Sequence, residues 1–491
     1  MNTTTTTILF LFFFFIQVES HRQITIQTGS DDSFLQCIQT QLELSSNSIQ
    51  IGLPGSLLYK KTINIDNRRV VHKPQLVLSP LQRRDVQYSI SAVRYCNGRL
   101  TSVSGGHGAA GWALNSGNTS VVLNVRDQLN QIQWHNRTNG QLYVESGALW
   151  SSIYEFVQDS GRLPIGGGCP QVGIAGFLMG AGWSFLSRSY GLAIDNVAQI
   201  EFVLANSTLV VASAQHNQDL YWAARGGGGG NFGVATSFII ETHPPRPKMV
   251  VGEICWPPLN RTILNKLWSI WLKNYESLPA FVDIVPVWLP IGTNNSRMFC
   301  FTVVCNGEET ACYPHLSIYL EQSPTLNTLE TQSFIDWQLA NVNVTDAQHG
   351  QLYLTSAVLN PGALTLKLVN ALIDLLEVAP NNRSLILFHV GGGQIANVKW
   401  NATAFPHRQA QLIIQVKAIW ELDEDTQHNM QWVRDVRTLL LPFISGSYVN
   451  YIDPEFPNWQ EAYYGGNLER LKKIRYSIDP EHFFSFPQAI P

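Results

Sequence analysis

His107 closes the run Ser104-Gly105-Gly106-His107, and Cys169 follows Gly166-Gly167-Gly168 and precedes Pro170. An imidazole and a thiol are both nucleophiles. The glycines before each of them let the backbone approach a bulky anionic ligand closely. Taken alone, His107 reads as a turn histidine and Cys169 as half of a disulfide. Two such loops in the same half of the chain, both near further glycine turns, predict a large cofactor held at two points. A third run, Gly226–Gly230, lies between Trp222 and Phe232, which would anchor it at both ends. The stretch Val234–Ile240 follows it as a strand, where a nicotinamide-binding unit needs a helix. No Gly-x-x-x-x-Gly-Lys phosphate loop occurs.

Further motifs follow in order. They are Gly168-Cys169-Pro170-Gln171-Val172-Gly173, Tyr190-Gly191-Leu192-Ala193-Ile194-Asp195-Asn196 and the segment from Asp219 to Gly233. Tyr448-Val449-Asn450-Tyr451-Ile452-Asp453, Tyr463-Tyr464-Gly465-Gly466-Asn467 and Asp479-Pro480-Glu481-His482-Phe483-Phe484 come later. With the histidine loop, this set resembles the berberine-bridge-enzyme-like flavoproteins of the vanillyl-alcohol-oxidase superfamily. The resemblance implies an α+β fold: a PCMH-type FAD-binding domain plus an α+β substrate domain with an antiparallel sheet. It implies FAD bonded to both His107 and Cys169. It further implies cofactor contacts at Ser104, Gly105, Gly106, Gly173, Gly176, Gly180, Val234, Tyr464 and Asn467. In this family a cysteine like Cys37 pairs with one like Cys96.

The same resemblance assigns roles at the reacting end. Val172 stands at an oxygen gate, where valine accompanies oxidase behaviour. Tyr451 lines the substrate site, and its phenolate would take a hydroxyl proton. With a reference pKa near 10 it needs lowering by a cation or hydrogen bonds. Gln415 stands where relatives carry glutamine or glutamate. An amide cannot act as a carboxylate base, which favours oxidation of an alcohol or sugar hydroxyl over alkaloid ring closure. The chain departs from the family pattern at Val103, Ala109, Trp183 and Ile413. Lys417 shares a strand face with Ile413, but the role of the missing lysine is not assigned to it.

These residues need elements to hold them. Leu100–Val103 reads as the strand that delivers the histidine loop, after a strand at Gln75–Ser79 and a helix over Leu81–Cys96. Val121–Val125, Leu142–Val144, Ile200–Leu204 and Thr208–Ala212 read as strands, and Ser151–Asp159 as a short helix. A helix near Asp32–Leu44 carries Cys37. His243-Pro244-Pro245-Arg246-Pro247 is a rigid linker signature. Beyond it, strands at Met249–Trp256, Phe299–Cys305 and Ala410–Ile419 alternate with helices at Arg261–Glu276, Ala311–Gln322, Leu364–Leu376 and Gln427–Leu441. The expected organisation is a signal peptide over 1–20, an N-terminal part of the flavin domain over 21–71 and the FAD-binding domain over 72–245. A substrate-binding domain over 246–445 and a segment over 446–491 returning to the FAD domain complete it.

Composition narrows the class. The chain has 491 residues, 45% of them hydrophobic, and a net charge of −4. That length predicts two or more domains. Neither a basic run nor an acidic tail suggests nucleic acid as a partner. Ile8–Ile16 is apolar throughout, too short to span a bilayer but suited to a signal peptide. No later stretch is long enough to span a membrane without charges. Asn118, Asn136, Asn206, Asn260, Asn294, Asn343, Asn382 and Asn401 each begin a glycosylation sequon. There are 7 cysteines, an odd number for a secreted chain unless one is bonded elsewhere. Cys255, Cys300, Cys305 and Cys312 allow three pairings.

The reading is a secreted, extracellular FAD oxidase acting on a small-molecule alcohol or sugar, with oxygen as the second substrate. Histidines without ligand spacing predict no metal. Two alternatives stand beside it: an oxidative-cyclising enzyme of secondary metabolism, and a secreted carbohydrate-binding protein that keeps flavin for structure.

Overall fold

A computed structural model describes residues 33–45, 48–244, 248–291, 296–340 and 350–491. The expected signal peptide, part of the proline linker, and the sequons at Asn294 and Asn343 lie outside them.

The first half builds two sheets. Gln50–Gly52 pairs antiparallel with Pro74–Ser79, which pairs parallel with Gly117–Asn124, and that strand pairs parallel with Arg99–Val103. The helix Arg83–Tyr95 provides the crossover that a parallel connection requires. A second sheet is antiparallel, in the order Ile132–Asn136, Gln141–Glu145, Val234–Glu241, Val197–Val203, Leu209–Ser213. Leu76, Leu78, Leu100, Val121 and Leu123 of the first sheet share one core with Val203 and Val234 of the second. That packing fixes the end of the strand from which the histidine loop leaves.

The second half is antiparallel. Met249–Trp256 forms with the bounds its sequence predicts. It pairs with Arg297–Cys305, which pairs in turn with Val282–Pro290. A second sheet places Leu412–Trp420 between Gln351–Leu359 and Leu385–Val390. Leu412–Trp420 is buried along its whole length, with the helix Thr426–Leu440 packed on it. Its partner strands and Val282–Pro290 give no clear alternation in the sequence, and all three are additions to the sequence reading.

Three disulfides close the cysteine arithmetic. Cys37–Cys96 ties the helix Ser33–Ser45 to the end of Arg83–Tyr95. Cys255–Cys300 joins residues directly opposite on paired strands. Cys305–Cys312 joins a strand end to the helix Glu309–Leu320. Cys169 stands outside them. Residues after 446 pack back on the first half: Val449, Tyr464, Ile474 and Ile490 share a core with Leu142, Ile174 and Phe202.

Candidate active site

The two nucleophile loops meet backbone to backbone. A Cβ added to Gly105 would overlap the Gly173 nitrogen and stand 2.8 Å from its Cα, and one added to Gly173 would strike Gly105 in the same way. Only glycine permits that approach. Gly106 turns with φ +76°, and its carbonyl accepts from the Asp66 N–H at 3.1 Å. Asp66 also sets a carboxylate oxygen 3.8 Å from His107 Nδ1. Ser104 Oγ donates to the Ser146 carbonyl at 2.7 Å. On the other loop, Tyr154 donates to the Gly167 carbonyl and Gln338 to the Gly168 carbonyl, both at 2.8 Å. Cys169 is therefore presented by a backbone anchored just before it.

Both loops open on a cavity of about 630 Å³. Ser104, Gly105, Gly106, His107, Cys169, Val172, Gly173, Gly176, Tyr451, Gln415 and Tyr464 all lie in its wall, as do Ala109, Trp183 and Lys417. Gly176 leaves open space where a Cβ would stand. Gly228, Gly229 and Gly230 add a second glycine surface. Trp222 and Phe232 are buried at either end of their run, which makes it a built wall and not a linker.

Three expected cofactor contacts are not brought to the cavity. Gly180 stands behind it, where a Cβ would overlap the Asn450 side-chain amide. Val234 turns its side chain into the core between the two sheets, and its neighbours Gly233 and Ala235 line the wall instead. Asn467 is spent on structure: its Nδ2 lies 3.0–3.2 Å from the carbonyls of Trp400, Thr403 and Ala404. An amide caps a loop as readily as it holds a ligand.

The residues fit a flavin dinucleotide. Among the described residues no group accepts from the N–H of Gly105 or Gly106, which leaves these donors for a pyrophosphate. The lining runs from Val125 and Phe484 past both nucleophile loops to the sheets of the second half. His107 and Cys169 place an imidazole and a thiol in the wall beside it.

At the second-half sheet that carries Gln415, pairing decides what faces inward. Gln415 lies opposite Leu387, and Ile413 opposite His389. Tyr451 Oη and His389 Nε2 are 2.9 Å apart. Burial pushes His389 down to about 4, so the imidazole is neutral at physiological pH. Burial raises the Tyr451 phenol above its ordinary value, with Tyr448 and Cys169 adding to it. The expectation of a resting phenolate is thus corrected: the hydrogen bond is present, and the phenol keeps its proton. Tyr448 packs edge-on against Tyr451 at 5.0 Å and accepts from the Gly182 N–H at 3.0 Å. Ile413 does not enter the cavity but packs with Trp183, Phe405 and Tyr448. Lys417 lies in the wall, its pKa lowered by burial, against which Asp66 and Cys169 act.

The sequence reading does not single out His389. No sequence signal marks it, because Leu385–Val390 is apolar at every position but His389; only in the fold do Leu385, Leu387 and His389 stand out as the less buried positions that share one face.

Comparison with known proteins finds FAD-binding relatives. Residues 74–213 match the FAD binding domain family. Residues 447–491 match the berberine and berberine-like family. The chain is 29% identical to the FAD-linked oxidoreductase YvdP of Bacillus subtilis, covering 91% of this chain and 98% of that one. It is 26% identical to a carbohydrate oxidase of Microdochium nivale, covering 94% and 97%. The solved structure of Physcomitrella patens BBE-like 1 superposes with a TM-score of 0.82 at 24% identity, over 94% of this chain and 99% of that one.

Proposed function

The chain is a berberine-bridge-enzyme-like FAD-linked oxidoreductase, and from that premise we propose a secreted oxidase of an alcohol or sugar hydroxyl that carries FAD on both His107 and Cys169. FAD, when bound, would take a hydride from the substrate carbon, and oxygen would remove it together with the proton released from the hydroxyl, giving hydrogen peroxide.

The observation that carries this reading is the Tyr451–His389 pair in the cavity wall. A phenol that keeps its proton cannot itself act as a base at rest. With a neutral imidazole as its acceptor it can: the substrate hydroxyl gives its proton to Tyr451 Oη as the phenolic proton passes to His389 Nε2. General-base groups of this kind contribute about 10²–10⁴-fold. Gln415 supplies an amide that can orient the hydroxyl as donor or as acceptor. Val172 lies in the same wall with a small side chain, in keeping with oxygen access.

Ring closure has less support, because Gln415 provides no carboxylate. A purely binding role has less support, because a buried proton acceptor beside the phenol has no use in holding a sugar. The carbohydrate oxidase relative favours a sugar among the possible alcohols. Secretion is supported by the three disulfides and by sequons at exposed asparagines such as Asn118, Asn206 and Asn401.

The test is anaerobic bleaching of the protein's flavin by sugars, alcohols and amines. A sugar or alcohol should bleach the wild type, and Tyr451→Phe and His389→Ala should each slow the bleaching about 10²–10⁴-fold. Bleaching by amines alone would favour the oxidative-cyclising reading, and flavin that none of the three reduces would leave the binding role. Denaturation and digestion should yield one flavin species joined to both the His107 and the Cys169 peptides.

A further inference from the structure

We infer that Glu253 and Asp283 form a carboxylate subsite that binds a protonated amine on the hydroxylated substrate. The inference rests on the reading above that the cavity is the substrate site.

Strand pairing sets the geometry. Asp283, Val285, Val287 and Leu289 alternate along Val282–Pro290, and all four line the cavity. Thr302 lies directly opposite Val285 on one side and directly opposite Glu253 on the other. Glu253 and Thr302 line the cavity as well. One carboxyl group therefore stands directly beside Thr302 and the other diagonal to it, on a single face of the sheet.

Neither is in an ion pair among the described residues, although Arg188 acts on Asp283 through space. Asp283 is 3% exposed, and its Oδ1 has no hydrogen-bond partner among the described residues. The Ile284 backbone donates to its carboxyl and Arg188 acts on it through space, but that guanidinium is committed elsewhere. It donates to the carbonyls of Val282, Leu278, Pro279 and Gly391. No ion pair to Asp283 or Glu253 occurs among the described residues. A buried carboxylate without a partner is costly. An incoming ammonium brings both the opposite charge and several N–H donors, the combination that makes strong charge-assisted bonds. A neutral hydroxyl would satisfy a lone pair and leave the charge. Trp183, Phe185 and Trp337 line the same cavity, and aromatic faces suit a cation.

The test uses two pairs of alcohols that differ in one amine: glucamine against sorbitol, and 4-(aminomethyl)benzyl alcohol against 4-methylbenzyl alcohol. Each is titrated calorimetrically at pH 7.5, without oxygen, into Tyr451→Phe holoenzyme, so that binding is read without turnover. In at least one pair the aminated compound should bind about ten-fold or more tightly than its neutral partner. That preference should shrink below about two-fold in Glu253→Gln and in Asp283→Asn, each added to the Tyr451→Phe background. Glu253 is partly exposed, so its variant keeps the test open if Asp283→Asn fails to fold. Equal or weaker binding of both aminated compounds, or a preference that survives in every folded variant, would overturn the subsite. Wild-type flavin that neutral alcohols and sugars fail to bleach, with the amine preference intact, would sink the alcohol-oxidase reading alone.

Discussion

Two kinds of residue carry the proposed function, and they differ in how visible they are. His107 and Cys169 announce themselves because the glycines beside them are local in sequence. His389 does not, since nothing next to it marks the tyrosine 62 positions away whose hydroxyl it meets. Its depressed pKa gives a pH prediction. A neutral imidazole must accept the phenolic proton, so the rate of flavin reduction should hold from neutrality downward. It should fall as pH drops through about 4, where imidazolium can no longer accept; rapid-mixing reduction on either side of that value would show it. A break near the ordinary histidine value of about 6.5 would mean that His389 is not held as described. At the loops, Gly105→Ala forces a Cβ against the Gly173 backbone. Loss of covalently bound flavin should exceed that of Gly307→Ala, which lies outside the cavity wall and whose Cβ would meet only contacts of 3.4 Å or more, when both are read by absorbance after acid precipitation. Asn467 shows the opposite limit of sequence reading. It sits in a motif that carries the resemblance, yet its amide is consumed by three carbonyls.

At the scale of elements, the sequence shows Met249–Trp256 and most of Leu412–Trp420 but not Gln351–Leu359, although all three are almost wholly buried. Met249–Trp256 stands out because Pro257 and Pro258 end it. Gln351–Leu359 is buried at every position, so it carries no alternation to read. The sequence reading passes over it, although it flanks the strand of Gln415. The substrate-side sheet depends on that buried pairing. Val172 belongs to the same scale, because its loop is the connection between Cys169 and the helix Ile174–Met179. Val172→Leu adds one methylene, at a stability cost of about 1–3 kcal/mol. Reoxidation of reduced flavin by oxygen should slow while anaerobic reduction stays near the wild-type rate, which stopped-flow absorbance separates. Equal reoxidation rates would remove Val172 as the gate. The Cys37–Cys96 bond closes a separation of 59 residues. Replacing both with alanine should cost about 2–4 kcal/mol in denaturant unfolding.

Over the whole molecule, buried ionisable groups pull stability in opposite directions with pH. His407 is pushed down to about 4 by burial. As pH falls from about 6.5 towards 4, the unfolded chain gains a proton there that the folded chain refuses, so stability drops over that window. Asp283 is pushed up to about 7 by burial, which Arg188 only partly offsets. As pH rises from about 4 to 7, the unfolded chain releases a proton that the folded chain retains, so here stability drops with rising pH. Asp283→Asn should accordingly stabilise the protein more above that window than within it, as followed by thermal unfolding at alkaline and mildly acidic pH. The reverse order would mean that the carboxyl has a partner. The two halves of the fold are legible as a change of texture at the proline linker. What joins them is not, because long-range packing leaves no local trace. The strongest instance is the stretch after 446. Arg475, 1% exposed, donates to the carbonyls of Asn231 and Phe484, and the Ile490 N–H donates to Asn231 Oδ1 at 2.9 Å. Tyr464 donates to the Gly227 carbonyl at 3.1 Å. The glycine wall is thus clamped by residues 237 and 244 positions further along the chain. A ribosome that stops after the substrate-side sheet has delivered the His107 and Cys169 loops and no closed vessel around them. A premature stop codon anywhere short of Arg475 should behave as a null allele.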